Sequence, residues 1–198
     1  MAEPAILHMT VAEFVLWDDG TGTRYELFAG VPVAMAPPAE AHRILAARLL
    51  ARIDAALAGR RPCNAQFEAG VMRPDRADWY LIPDLAVTCS PNELGRQAIK
   101  DPILIVEILS SSTERHDRRV KLPIYQEIES VAEILLIDPL LPHAEVYRRD
   151  GERWIIELVR GAEHSLSLNS VGFRMPMAEL YEGIALAEAE AENSSPLL

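Results

Sequence analysis

The sequence predicts a soluble α/β protein of one domain, a mixed β-sheet flanked by helices. Three observations predict it. Two runs, Tyr80-Leu-Ile-Pro-Asp-Leu-Ala-Val87 and Pro102-Ile-Leu-Ile-Val-Glu-Ile-Leu109, are short, β-branched and nearly continuous in apolar character. Strands covered on both faces read this way. A helical stretch from about Ser112 to Ile128 separates the second run from a further apolar run, Val131-Ala-Glu-Ile-Leu-Leu-Ile-Asp138. Strand, helix and strand in that order form a crossover unit. Finally, Ile44, Leu45, Leu49, Leu50, Ile53 and Leu57 recur at helical spacing before Gly59, which predicts a long helix from about Ala39 to Leu57.

The remaining elements follow from local signals. Thr10-Val-Ala-Glu13 fits a capping box and starts a short helix carrying Phe14, Val15 and Leu16. Asp18-Asp-Gly-Thr-Gly-Thr23 is a loop. Tyr25 to Met35 reads as two short strands around Gly30. Arg61 to Glu68 alternates like a half-exposed strand, and Gly70 to Pro74 reads as its continuation. Pro123 lies inside the 112–128 helix and predicts a kink or a late start. Ala144 to Arg149, Asp150-Gly151, and Glu152 to Val159 form a hairpin, with Asp-Gly as the turn signal. Met177 to Tyr181 is a short helix, the domain spans residues 1–185, and the acidic stretch 186–198 is expected to be a disordered tail.

Composition narrows the function. The chain has 198 residues and a formal net charge of −11. That charge argues against a general nucleic-acid binder, which needs a basic surface. A divalent metal and a local basic patch can work on an acidic body, and Arg115, His116, Arg118, Arg119 and Lys121 supply such a patch. No stretch approaches the roughly 18 apolar residues of a membrane helix. The N-terminal residues show no signal-peptide pattern, so the expected compartment is the cytosol. Cys63 and Cys89 lie far apart, outside any CxxC pair. Both are expected to be small buried hydrophobes.

The chemistry centres on two carboxylates in apolar strands. Asp84 interrupts one run and Glu107 the other. A charge there needs a cation or several hydrogen bonds. If the strands are neighbours, both carboxylates can converge on one hard metal ion such as Mg²⁺. The bland readings are a loop-capping Asp and a Glu paired with an arginine. Downstream, Asp117, Lys121 and Tyr125 stand at i, i+4, i+8 and share a helix face. Alone, an Asp–Lys pair on a surface contributes only about 0.3–0.5 kcal/mol. Here the helix directly follows the strand bearing Glu107. Glu26 is a supporting metal contact or a strand Glu paired with Arg24. His42 opens the long helix and reads more readily as a satisfied helix-start histidine than as a catalytic one.

These residues carry a family resemblance. Ile82-Pro-Asp84, then Asp101 to Thr113, then Asp117, Lys121 and Tyr125, resemble the Uma2 family, which is placed among the PD-(D/E)xK nucleases. Tyr25-Glu-Leu-Phe-Ala-Gly30, His42, Val131 to Pro139 and the hairpin after it are similar to the same pattern, which covers roughly residues 9–182. The resemblance implies a restriction-endonuclease-like mixed sheet with an additional C-terminal hairpin, acting on DNA as a homodimer. It implies that Asp84, Glu107 and the main-chain carbonyl of Ile108 bind Mg²⁺ or Mn²⁺. The standard motif has a lysine two residues after its second acid, where this chain has Leu109. Lys121 on the helix is the matching substitute.

No GxxxxGK[ST] loop, GxGxxG or GxSxG is present. Three readings follow. A metal-dependent endonuclease requires Asp84, Glu107 and Lys121 in one cleft with a basic rim. A non-catalytic interaction module leaves Lys121 in solvent or paired only with Asp117. A metal-dependent hydrolase of another substrate has a pocket too narrow for a duplex.

Overall fold

The structure, a computed structural model, describes residues 7–73 and 75–187. Most of the acidic stretch 186–198 therefore lies outside the described residues, as does Pro74.

Helix α1 (Val11–Phe14) carries the capping box, with Thr10 and Glu13 exchanging side-chain-to-backbone bonds. Strands β1 (Tyr25–Phe28) and β2 (Val31–Ala34) form a hairpin. Its turn residues Ala29 and Gly30 have φ of 48° and 81°, the paired positive values of a tight hairpin turn. Helix α2 spans Glu40–Ala56. Strands β3 (Asn64–Phe67), β4 (Val71–Met72), β5 (Tyr80–Leu81), β6 (Leu85–Thr88) and β7 (Pro102–Ile108) follow. A helical segment then runs through α3 (Glu114–His116), a π turn (Asp117–Lys121) and α4 (Leu122–Glu127). After it come β8 (Glu133–Ile137), β9 (His143–Asp150), β10 (Arg153–Arg160), β11 (Ser165–Leu168), β12 (Phe173–Pro176) and α5 (Met177–Leu180).

The larger sheet has six strands in the order β10-β9-β8-β7-β6-β3. Its one parallel pair, β7 with β8, is the crossover through the helix. Side-chain alternation divides the sheet into two buried faces. One carries Leu85, Val87, Leu104, Val106, Leu135 and Ile137, and packs on Leu45, Leu49 and Ile53 of α2 and on the β11–β12 hairpin. The other carries Ala86, Ile105, Ile134 and Leu136, and packs on Leu122, Ile124 and Tyr125 of α4. Burial on both faces explains why β6, β7 and β8 read as unbroken apolar runs. The mixed α/β expectation therefore holds, and the Asp150-Gly151 hairpin extends the main sheet as β9–β10.

Three local expectations require correction, and one element is new. The run Tyr80–Val87 is two strands, not one. Pro83 has no N–H to give a ladder, and the chain leaves the four-stranded sheet β2-β1-β5-β4 after Leu81 and enters the six-stranded sheet at Leu85. Val71 and Met72 do not continue β3 but pair with β5 in the smaller sheet. The β11–β12 hairpin is an addition that the sequence did not announce. The third correction concerns the cysteines. Cys63 and Cys89 are joined in a disulfide. The pairing of Asn64 with Thr88 puts the two cysteines next to each other at the ends of adjacent strands.

Candidate active site

Glu107 stands on β7 with its side chain on the helix-covered face, and only 3% of the residue is exposed. In the β6–β7 register Leu85 faces Val106, so one further step places Asp84 opposite Glu107. Asp84 has just left the Pro83 break, and its carboxylate is held from two directions. The backbone N–H of Ile108 donates to Oδ2 at 2.6 Å. His42, in the first turn of α2, donates from Nε2 to Oδ1 at 2.8 Å.

Lys121 reaches the same place from the helix. Its Nζ lies 3.0 Å from Glu26, 3.2 Å from Glu107 and 3.5 Å from Asp117. Tyr125, one turn on, donates its hydroxyl to Glu107 at 2.6 Å. Glu26 arrives from β1 in the other sheet and also accepts the N–H of Ile82 at 2.7 Å. The helix delivers these groups through its π turn, closed by the N–H of Leu122 on the carbonyl of Asp117. Such wide turns recur at functional sites. All seven side chains singled out in the sequence therefore meet in one cluster. Ile108 joins it through its N–H, and its side chain points into the opposite core. Leu109 is buried among apolar neighbours, and Lys121 takes up the space near the carboxylates instead.

The electrostatics follow from burial and from the surplus of acid. Burial, together with Asp84, Asp117 and Glu26, raises the pKa of Glu107 well above the carboxylate range, and Lys121 only partly offsets this. Burial likewise raises Asp117. Burial alone would lower the pKa of Lys121. The carboxylates of Glu107, Glu26 and Asp117 outweigh it and hold the ammonium charged. Burial and the charge of Glu107 push the Tyr125 hydroxyl well up, so it remains a donor. Four carboxylates thus share one lysine and one histidine. The donor atoms are hard oxygens and the charge is unbalanced, which suits a divalent cation. Among the described residues, no three His, Cys, Asp or Glu side chains already stand arranged around a metal. The centre of the carboxylates is filled by the Lys121 ammonium.

Access is narrow. Lys121, Glu107 and Asp117 side chains are 3–7% exposed, whereas Asp84 and His42 reach 15% and 13%. The cluster therefore faces solvent through Asp84 and His42. A cavity lined by Gln66, Tyr80, Thr88, Arg96 and Lys100 lies elsewhere. The basic patch is thinner than the sequence suggested. Lys121 is buried, and Arg118 is tied to Glu114 and Glu145 at 2.9 and 2.7 Å. His116 stacks edge-on against Phe28, leaving Arg115 and Arg119 exposed. The sequence reading passed over one buried acid, Glu133. It pairs with Arg148 at 2.8 Å and accepts the N–H groups of Asn169 and Ser170. Fully satisfied in this way, it holds β8 to the C-terminal hairpin.

The chain resembles known proteins along most of its length. It is 29% identical over 179 residues to the Synechocystis sp. "Uncharacterized protein slr1290", covering 87% of this chain and 91% of that one. A second Synechocystis sp. protein, sll1609, is 31% identical over 86 residues, 41% of this chain and 49% of that one. A crystal structure from Anabaena variabilis, described as "a putative nuclease belonging to DUF820", superposes with a TM-score of 0.71 at 18% identity, over 87% of this chain and 97% of that one. It shares the restriction-endonuclease-like fold. The Uma2 profile, described as "Putative restriction endonuclease", matches residues 11–178. With its fold and most of its length accounted for in this way, the chain belongs to the Uma2 family.

Proposed function

We propose that the chain is a Mg²⁺-dependent endonuclease that hydrolyses phosphodiester bonds in DNA, working as a homodimer. The observation that carries this reading is the meeting of Asp84, Glu107 and the Lys121 ammonium, contributed by two adjacent strands and the crossover helix. Asp84, Glu107 and the carbonyl of Ile108 would hold the ion. When bound, Mg²⁺ supplies charge to polarise the phosphate and to lower the pKa of the attacking water. The chain's own residues do the rest. The Ile108 N–H and His42 fix the Asp84 carboxylate. Tyr125 fixes Glu107. Lys121, held protonated, neutralises charge developing on the phosphate and does not serve as the base. Mn²⁺ satisfies the same donors. A cytosolic setting belongs to this reading as well, and the Cys63–Cys89 bond weighs against it, since cytosolic thiols are kept reduced.

One observation favours a second reading, a non-catalytic module of the same fold. Three carboxylates enclose Lys121, and little of the cluster reaches solvent. Cleavage of plasmid and single-stranded DNA with Mg²⁺ or Mn²⁺ separates the two. The nuclease reading expects metal-dependent cutting that Asp84→Ala, Glu107→Ala and Lys121→Ala each reduce at least about 100-fold. An inert native protein supports the module, and cutting that survives all three substitutions places the chemistry elsewhere.

A further inference from the structure

Strand β10 ends the six-stranded sheet, and among the described residues nothing pairs with its outer side. It is eight residues long, and its register with β9 runs unbroken from Arg153 to Arg160. Three apolar side chains are left out of the core: Ile155, Ile156 and Leu158 are 55%, 54% and 50% exposed. Soluble proteins usually blunt such an edge with Pro, Lys, a bulge or a very short strand. β10 is long and has no Pro, Lys or bulge, and its charges stand at Arg153, Glu157 and Arg160, leaving Trp154, Ile156 and Leu158 apolar. The opposite edge, β3, is only four residues long and carries Asn64 and Gln66.

The strand's sequence, Arg-Trp-Ile-Ile-Glu-Leu-Val-Arg, indicates what would cover it. Asp150 and Arg153 close a two-residue turn, so in the alternating ladder Arg153, Ile155, Glu157 and Val159 bond to β9. The backbone groups of Trp154, Ile156, Leu158 and Arg160 then point outward. A new antiparallel strand must pair with these even-numbered positions. A second β10, related by a two-fold axis at Ile156, does so. Ile156 meets Ile156 of the second copy, Trp154 meets Leu158, and Glu152 meets Arg160 at each end. The apolar side chains of the even positions make one patch on one face. Their charged neighbours are of opposite sign. The edge itself is locally neutral, with Glu152 and Glu157 against Arg153 and Arg160, on a chain whose net charge is −11. Another acidic surface of the same protein would be repelled, whereas this edge is not.

We propose that β10 is a self-association edge, and that two copies of the chain join there by antiparallel strand addition centred on Ile156. The interface locates the homodimer of the proposed function and rests on that reading for its dimeric state, but it requires neither DNA nor the carboxylate cluster, so sedimentation and cleavage can fail separately. Sedimentation velocity on the full chain tests it. A concentration-dependent dimer is expected. Ile156→Lys, at a position already half exposed, leaves the fold intact by circular dichroism and raises the dimer Kd by about 100-fold or more. Glu152→Arg and Arg160→Glu each weaken the homodimer by about tenfold. Mixing these two variants restores association, because each then finds the opposite charge in the other. Hydrogen exchange of the unmodified protein adds a readout free of substitutions: the Ile156 and Leu158 amides should slow as concentration rises. A chain that stays monomeric, a dimer indifferent to Ile156→Lys, or a mixture no tighter than its parts would overturn the proposal.

Discussion

A lysine with 6% of its surface exposed survives in this protein because three carboxylates face it. The arrangement is costly to break from the cationic side. Lys121→Ala leaves Glu26, Glu107 and Asp117 buried without their cation, and should destabilise the fold by about 3–5 kcal/mol at pH 7. Urea unfolding measures it directly. Glu107→Gln puts a neutral amide where burial already favours the protonated carboxyl, and keeps an acceptor for Tyr125. It should cost less than about 1.5 kcal/mol, while abolishing any metal-dependent cleavage. A loss as large as that of Lys121→Ala would mean that Glu107 is ionised in the fold. Asp84 and Glu107 were legible in the sequence because a charge inside an apolar strand stands out. Their partners were only half legible. Asp117 and Tyr125 share a helix face with Lys121, which spacing reveals. The Glu26–Lys121 contact joins residues 95 positions apart and needs the fold. Glu133 gives the converse lesson. It too interrupts an apolar strand, and only its three partners show that it is structural.

At the scale of elements, the crossover helix is pinned by Arg118, which bridges Glu114 on its own helix and Glu145 on β9. Burial works against the Glu145 charge, but hydrogen bonds from Arg118 and Tyr147 prevail and lower its pKa. A lowered carboxylate contributes stability above its unfolded value, near 4.5, and loses it as pH falls through the folded value. Arg118→Ala should therefore cost about 1–2 kcal/mol at pH 7, and the deficit should shrink as pH falls below about 4.5, as read from urea midpoints across pH. A deficit that persists in acid would assign the effect to packing. The β3–β6 pair carries the second prediction. Its disulfide closes a sequence separation of 26 residues, so reduction should lower stability by about 3 kcal/mol. Guanidinium titrations with and without reductant compare the two states, and coincident curves would mean that the thiols are not joined. The sequence hid this bond because the two cysteines belong to no motif and become neighbours only through strand pairing. It hid the split at Pro83-Asp84 for a related reason. Apolar character continues through the break, and two short strands in different sheets look like one long strand. The long helix, the hairpin at Asp150-Gly151 and the β7–helix–β8 crossover were legible because each has a period, a turn dipeptide or a length that no other element shares.

At the scale of the whole molecule, the four- and six-stranded sheets are joined by the chain between Leu81 and Leu85, by the packing of Phe28, Val71 and Leu81 with Ala86, Ile105 and Leu122, and by the carboxylate cluster. Glu26 belongs to one sheet, while Glu107 and Lys121 belong to the other sheet and its helix. The smaller sheet has its own apolar group, with Leu27, Tyr80, Met9, Val11 and Phe14. A seam of this kind governs whether the parts melt together. In the native protein the van't Hoff and calorimetric enthalpies should agree, as for one cooperative unit. Glu26→Ala deletes the contact with Lys121 across the seam, together with the bond from the Ile82 N–H just after β5. Its thermogram should broaden and separate, the smaller sheet first. Part of the coupling between the sheets would then pass through one glutamate, and the group of charges best placed for chemistry would also help the protein fold and unfold as a single body.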